Sequence, residues 1–458
     1  MDADDAVLDS AAAHARRWLS GLDERRIPAA GTAEDAAARL GTELPERGSP
    51  AAQVLERLVA AVEPGLMASA SGRFYGWVMG STLPAAIAAD WLVSAWDQNA
   101  GMRDATPGVV AAEEVAASWL VRLLRFPDEP AVGFTTGATT ANFACLAAAR
   151  GRVLARAGWD LNEGLFGAPR IRVLVGAERH SSVDLALRYL GLGVAEAVGV
   201  DAQGRLDAAQ LREALVGWHG PTIVCLQAGN IHSGAFDPFE EAIDAAHRVG
   251  AWVHVDGAFG LWAAATPTLR HLVAGLDEAD SWATDAHKTL NTPYDCGIAL
   301  VEDGDALRAA MGVHASYLLT SASSVDPFEQ VPEMSRRARG VPVWVALATL
   351  GAEGVRGLVE GLVESAQALA EGLRRIPGVR VLNDVVYTQV SVAFESDERT
   401  REVYRRLVTE GTVMPSASVW HDEAVIRFSV SSWRTGSAEV AETLAAVERA
   451  ALVGVAVR

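Results

Sequence analysis

The stretch Ser281-Trp282-Ala283-Thr284-Asp285-Ala286-His287-Lys288-Thr289-Leu290-Asn291-Thr292-Pro293-Tyr294-Asp295-Cys296-Gly297 decides how the chain is read. At its centre, Lys288 follows an apolar run and stands beside His287. Upstream, the β-branched stretch Trp252-Val253-His254-Val255 ends on Asp256. A lysine amine can close a Schiff base on an aldehyde cofactor. A carboxylate at the end of a neighbouring strand can hold a pyridine nitrogen protonated, which turns such a ring into an electron sink. Alone, Lys288 would be read as a solvated surface charge. With His180, Asp256 and His287 in this order, a catalytic role is the better reading. His254 is read as a packing residue turned away from the ligand side of its strand.

Outward from this stretch, strands and helices alternate. Apolar strands are expected over 172–176, 196–200, 222–227, 252–256 and 297–301, with a helix over 239–249. Near-continuous apolar strands in a βα rhythm predict an α/β fold with a mostly parallel sheet covered on both faces. In such sheets ligands gather at the C-terminal strand ends. Asp256, His180 and the turn at 137–142 all fall there. That turn belongs to Gly133-Phe134-Thr135-Thr136-Gly137-Ala138-Thr139-Thr140-Ala141-Asn142, which runs from a strand into an apolar helix. Small residues, threonine hydroxyls and a helix N-terminus together suit a phosphate.

The flanks read differently. Helical spacing over 4–20 and 33–40, and again after Pro50, predicts an N-terminal segment (1–70) with little core of its own, which must lie on another surface. The aromatic stretch Arg73-Phe74-Tyr75-Gly76-Trp77 leads into helices over 83–96 and 107–124. A large domain is placed over 71–350 and a smaller α+β domain over 351–458. Residues 319–335 are polar, carry two prolines and lack periodicity, so they are expected to form a mobile loop that closes over the site. A helical run is expected over 343–373.

Of the 458 residues, half are hydrophobic, 21% are charged, and the net charge is -19. This composition is globular and lacks the basic excess that nucleic-acid binding needs. The cysteines, Cys145, Cys225 and Cys296, form no paired motif. A reduced, cytoplasmic location is expected, with no membrane association, because no apolar run approaches the roughly 20 residues of a membrane span. No metal site is suggested.

These motifs together resemble the pyridoxal-phosphate-dependent group II amino-acid decarboxylases, the aromatic-L-amino-acid and glutamate decarboxylase family. The resemblance rests on Arg73-Phe74-Tyr75, Thr136-Gly137-Ala138-Thr139-Thr140, Arg179-His180-Ser181-Ser182, Gly229-Asn230, His254-Val255-Asp256-Gly257-Ala258, His287-Lys288 and Ser335-Arg336-Arg337. It implies fold type I, the aspartate-aminotransferase fold, with a seven-stranded, mostly parallel sheet, and a homodimer with a shared active site. It further implies pyridoxal 5'-phosphate as cofactor, with Lys288 forming the Schiff base and Asp256 pairing with the ring nitrogen. His180 would stack on one ring face and Ala258 pack on the other, while Ala138, Thr139, Thr140 and His287 hold the phosphate. The substrate would be an L-amino acid, an aromatic one if Phe74, Tyr75 and Trp77 line the pocket mouth.

Two departures bear on this expectation. Members of the family commonly carry a loop tyrosine that protonates the α-carbon after carbon dioxide leaves, and no tyrosine lies between Leu318 and Ser335 here. Members also often carry a neutral residue three positions before the lysine, where this chain has Asp285. A carboxylate beside a phosphate is unfavourable unless a donor lies between them, so Asp285 is expected to face elsewhere. The missing tyrosine keeps open a carbon–carbon lyase or a decarboxylating amine-oxidising enzyme. An inactive cofactor-binding regulator is the reading from another class.

Overall fold

The computed structural model describes residues 3–127, 129–313 and 325–452. Three helices lead: α1 (Ala3–Ser20), α2 (Ala33–Leu40) and α3 (Ala51–Val62). Thr32 and Asp35 form a reciprocal capping box that starts α2. No residue of α2 is buried, and only Ala61 of α3 is. α4 (Pro84–Trp96) and α5 (Pro107–Leu124) each open on a proline, whose missing N–H is needed by no helical acceptor at that position.

The main sheet then builds up through β1 (Ala131–Thr135), α6 (Ala138–Arg156), β2 (Arg172–Gly176), α7 (Ser181–Tyr189), β3 (Glu196–Val198), α8 (Ala208–Leu215), β4 (Thr222–Gln227), α9 (Phe239–His247), β5 (Trp252–Asp256), β6 (Ser281–Asp285) and β7 (Gly297–Val301), with α10 (Gly304–Met311) following. The strand order is β1-β7-β6-β5-β4-β2-β3. β7 runs antiparallel to both of its neighbours, and the other pairs are parallel. The short link from β6 to β7 carries Lys288 and no crossover helix, so the chain can only double back.

Alternate residues of each strand enter two cores. Val173, Val175, Ile223, Cys225 and Trp252 pack with α6, α7 and α10, while Leu174, Val224, Leu226, Val253 and Val255 pack with α5, α8 and α9. Burial on both faces is why these strands read as continuous apolar runs.

α11 (Gly340–Leu373) contains the expected helical run and is kinked within it, where Gly351 sits at φ 61 and ψ 178, outside helical geometry. Beyond it an antiparallel sheet, ordered β10-β11-β9-β8, comprises β8 (Arg380–Val381), β9 (Gln389–Ala393), β10 (Ser416–Trp420) and β11 (Glu423–Ser429). It is covered by α12 (Asp397–Glu410) and α13 (Ser437–Leu452).

Residues 319–324 of the expected loop lie outside the described residues. The part over 325–335 is packed rather than free. Phe328 and Val331 are buried, the Phe328 N–H donates to the Gly101 carbonyl at 3.1 Å, and Asp326 accepts from the Arg103 N–H at 2.7 Å.

Candidate active site

Two parallel strands end side by side on aspartates, β5 on Asp256 and β6 on Asp285. α6 and α7 begin at this same edge, so strand carboxylates meet helix N-termini there. Between them lies a cavity of about 250 Å³ lined by Ala138, Thr139, His180, Asp256, Ala258, Asp285, His287 and Lys288, with Trp77, Val78, Ile231 and Phe259 as apolar wall. A cavity of about 770 Å³ elsewhere contains no expected site residue, and two of its carboxylates are engaged, Glu113 with Arg336 and Glu114 with Arg103.

At one end, Asp256 is 5% exposed and surrounded by neutral donors. Oδ2 accepts from Asn142 Nδ2 at 3.1 Å and from the Ser182 hydroxyl at 3.4 Å. Oδ1 accepts from the Ala258 N–H at 3.2 Å. His180, the N-cap of α7, accepts the Ser182 N–H on Nδ1 at 3.2 Å, which leaves Nε2 as the site of a neutral ring's proton. Burial holds the His180 pKa below its usual value; Asp256 opposes this, while Lys288 and Arg427 add to it.

At the other end, Lys288 Nζ lies 2.9 Å from Asp285 Oδ2. The opposite oxygen, Oδ1, accepts from the Ala138 N–H at the start of α6, at 2.6 Å, and is 3.5 Å from His287 Nε2. His287 accepts the Cys296 N–H on Nδ1 at 3.0 Å and stacks on Tyr294 with ring centroids 4.2 Å apart. Burial lowers its pKa, with Asp285 opposing. Two glycines allow this end to close. A Cβ on Gly80, which has φ +74, would stand 2.3 Å from the His287 carbonyl oxygen, and one on Gly297 would stand 2.3 Å from the Gly137 carbonyl carbon.

Residues 34–395 match the profile of the pyridoxal-dependent decarboxylase conserved domain. The chain belongs to this family. It is 28% identical over 423 residues to tryptophan decarboxylase 1 of Oryza sativa subsp. japonica, covering 85% of this chain and 82% of the relative. It is 26% identical over 363 residues to an acidic amino acid decarboxylase of Bos taurus, covering 77% and 68%. The crystal structure of the Oryza sativa decarboxylase with PLP and tryptamine superposes with a TM-score of 0.91 at 25% identity, over 98% of each chain. As a member of the pyridoxal-dependent decarboxylases, the protein is a PLP-dependent amino-acid carboxy-lyase of fold type I.

The residues present fit that cofactor. A carboxylate, Asp285, is already seated on the first N–H of α6, so this helix end accepts an anionic oxygen. An amine stands beside the same seat, and a second carboxylate waits at the far end. Ala258 leaves the cavity wall low, where a longer side chain would fill it.

Several expected residues are placed otherwise. Phe74 and Tyr75 do not reach the cavity. Tyr75 is fully buried, with its hydroxyl 2.9 Å from Thr443 Oγ1 and its ring edge-on to Phe428, and Phe74 packs with Leu22, Ile27 and Met414. Positive φ at Trp77 and Val78 turns the chain back, and of the three aromatics only Trp77 reaches the cavity. Thr140 Oγ1 pairs with Thr136 Oγ1 at 2.9 Å and does not line the cavity. Asp285 faces the site rather than away from it, because the Ala138 donor and Lys288 both meet it there. His254 is also corrected: residues two apart in a strand share a face, so it lies on the same side as Asp256 and reaches it through Asn142.

Three features were missed in the sequence. Among 39 lysines and arginines, Lys288 is the only lysine, a compositional signal open to simple counting. Asn142, on α6, touches Asp256 from a segment distant in sequence. Arg427 on β11 is 5% exposed, and among the described residues it has no ion pair and its Nε finds no acceptor. Burial pushes its pKa down to about 10, and its charge reaches His180 and His232. A lone arginine in the run Ala424-Val425-Ile426-Arg427-Phe428 was the available hint.

Proposed function

We propose that the chain decarboxylates an L-amino acid with an aromatic side chain, with Lys288 as the Schiff-base lysine, Asp256 as partner of the ring nitrogen, and Ala138, Thr139 and His287 around the phosphate. The observation that carries this reading is that the chain's one lysine, a buried, donor-rich carboxylate and His180 line a single cavity. Pyridoxal phosphate, when bound, supplies an aldehyde that takes the substrate amine and a ring that accepts the electron pair left by the departing carboxylate.

The chain's own groups do the rest. Asp256 holds a proton on the ring nitrogen by charge. His180 stays neutral, with its proton on Nε2, and forms a flat wall. Asp285 holds Lys288 Nζ in place at 2.9 Å, and in place of a loop tyrosine Lys288 Nζ returns the proton to the α-carbon. Trp77, Val78, Ile231 and Phe259 exclude water and receive the substrate side chain. Arg427, a buried cation without a counter-ion among the described residues, favours the substrate carboxylate near the cavity.

The same proposal includes a homodimer in the cytoplasm. Trp91, Leu92 and Trp96 of α4 and Leu8, Val54 and Leu58 of the N-terminal helices are exposed apolar side chains that a second copy would cover. The three cysteines are buried and free, which suits a reducing compartment. No described helix is long and apolar enough to cross a membrane.

The test is to load the protein with pyridoxal phosphate and measure carbon dioxide and amine from each standard amino acid. Tryptophan, tyrosine or phenylalanine should give the highest kcat/KM. Preference for glutamate or aspartate would overturn the aromatic assignment, and carbon dioxide with aldehyde in place of amine would overturn protonation by Lys288.

A further inference from the structure

Beneath Asp256 lies a chain of hydrogen bonds whose direction is fixed at the Asp256 end, where Asn142 Nδ2 donates to the carboxylate and its Oδ1 is left to accept from His254. Indole N–H groups donate only, and Trp252 Nε1 donates to Ser281 Oγ at 2.9 Å. With His254 Nε2 donating to the Asn142 oxygen, a neutral ring has Nδ1 open, and the Ser281 hydroxyl donates to it at 3.0 Å. The bond from Nε2 to Asn142 Oδ1 spans 2.9 Å. It holds the amide oriented, and both Nδ2 hydrogens face the site, one toward Asp256 Oδ2 at 3.1 Å and one toward Ser182 Oγ at 3.3 Å. Trp252 is 1% exposed, and Ser281, His254 and Asn142 are fully buried, so no water competes along the path. Burial lowers the His254 pKa to about 4, against the pull of Asp256, and the ring is neutral as the chain of donors requires.

We propose that Asn142 and His254 are positioning residues that hold Asp256 as a fixed acceptor through this one-way chain, which runs back to Trp252. If His254 were absent or flipped, the amide of Asn142 could turn its oxygen toward the carboxylate, replacing an attraction with a lone-pair repulsion and raising the cost of a buried charge. The proposal rests on the reading of Asp256 as partner of the cofactor's ring nitrogen.

The experiment reads two quantities that need no turnover. One is the dissociation constant of pyridoxal phosphate from the apoprotein, followed by fluorescence. The other is the ¹⁵N shift of the bound cofactor labelled at its ring nitrogen, which reports whether that nitrogen keeps its proton. His254→Leu is expected to weaken binding about fivefold to tenfold, the scale of one buried hydrogen bond, and to move the shift toward the unprotonated form. His254→Gln can accept from Ser281 and donate to Asn142, and should restore both readings to within about threefold. Far-UV circular dichroism of each apoprotein checks the fold. If the leucine variant does not fold, Ser281→Ala, which loses one hydroxyl, should still weaken binding about threefold and move the shift in the same direction. Asp256→Asn is the reference. If it leaves the nitrogen protonated, the reading of Asp256 and the relay fall together. If it moves the shift while folded His254→Leu and Ser281→Ala leave it unmoved, the relay alone is wrong.

Discussion

Asp256 and Asp285 end adjacent parallel strands, are 5% and 2% exposed, and border one cavity, yet their surroundings have almost nothing in common. Asp256 is held by neutral donors from Asn142, Ser182 and Ala258. Asp285 is held by a helix N-terminus on one oxygen and the Lys288 ammonium on the other. Neutral donors fix a carboxylate and leave its charge uncompensated, which suits recruiting a proton onto a third group. An amine partner compensates the carboxylate and is itself held in place, which suits an amine that must be positioned to pass a proton. The two ends of the site thus differ through their neighbours and not through residue type or burial.

That contrast can be broken most severely at the Asp256 end. Asp256→Ala should lower kcat by about 10³-fold, the scale of removing a preorganised electrostatic partner. A loss of tenfold or less in steady-state assays would put both aspartates in the same class.

The pH dependence of stability sharpens the same end. The folded-state pKa of His254 is depressed by burial to about 4 from an unfolded value of 6.5. A depressed histidine contributes stability that is fully present above its unfolded pKa and lost as pH falls through the window from 6.5 to 4. For a fully buried ring the loss is on the order of 3 kcal/mol. Urea unfolding of the apoprotein at pH 7 and pH 4.5 should show it, and His254→Gln should flatten that part of the profile.

Arg427 tests whether the field between the two ends matters. Arg427→Met keeps the stem and removes the charge, and it should raise KM about tenfold, the scale of a hydrogen bond to a charged group. An unchanged KM would make Arg427 a structural cation only.

The smallest effect is expected at the other end. In Asp285→Asn the amide oxygen can still accept from Ala138, and only the ion pair to Lys288 is lost. kcat should fall about fivefold, since a charge-assisted bond becomes a neutral one. A loss as large as that of Asp256→Ala would erase the difference between the two carboxylates.

How much of this was legible in the sequence follows from where each signal resides. β2, β4, β5 and β7 lie where the sequence places them, because burial on both faces makes their central residues near-continuous apolar runs, with polar residues such as Arg172, Gln227 and Asp256 at the strand ends. β10 was not read: Ser416-Ala417-Ser418-Val419-Trp420 is an edge strand whose middle residues are partly exposed, so it carries no such run. The helix break at Gly351 was hidden by apolar spacing on either side of it. Lys288, Asp256 and His180 were legible because strand ends and helix starts announce themselves locally. Asn142 and Arg427 were not, since their roles arise only when α6 and β11 are brought to the edge of β5. Phe74 and Tyr75 misled because composition shows that an aromatic cluster exists but not which way the chain turns after it.

The central claim is that the chain's one lysine carries the cofactor. Borohydride reduction of the protein loaded with pyridoxal phosphate, followed by peptide mass mapping, tests it most directly, since Lys288 offers the only side-chain amine. One reduced pyridoxyl group per chain on the Lys288 peptide, absent in Lys288→Ala, is the expected result. Bound cofactor with no covalent label, or a label confined to the N-terminal amine, would contradict the account.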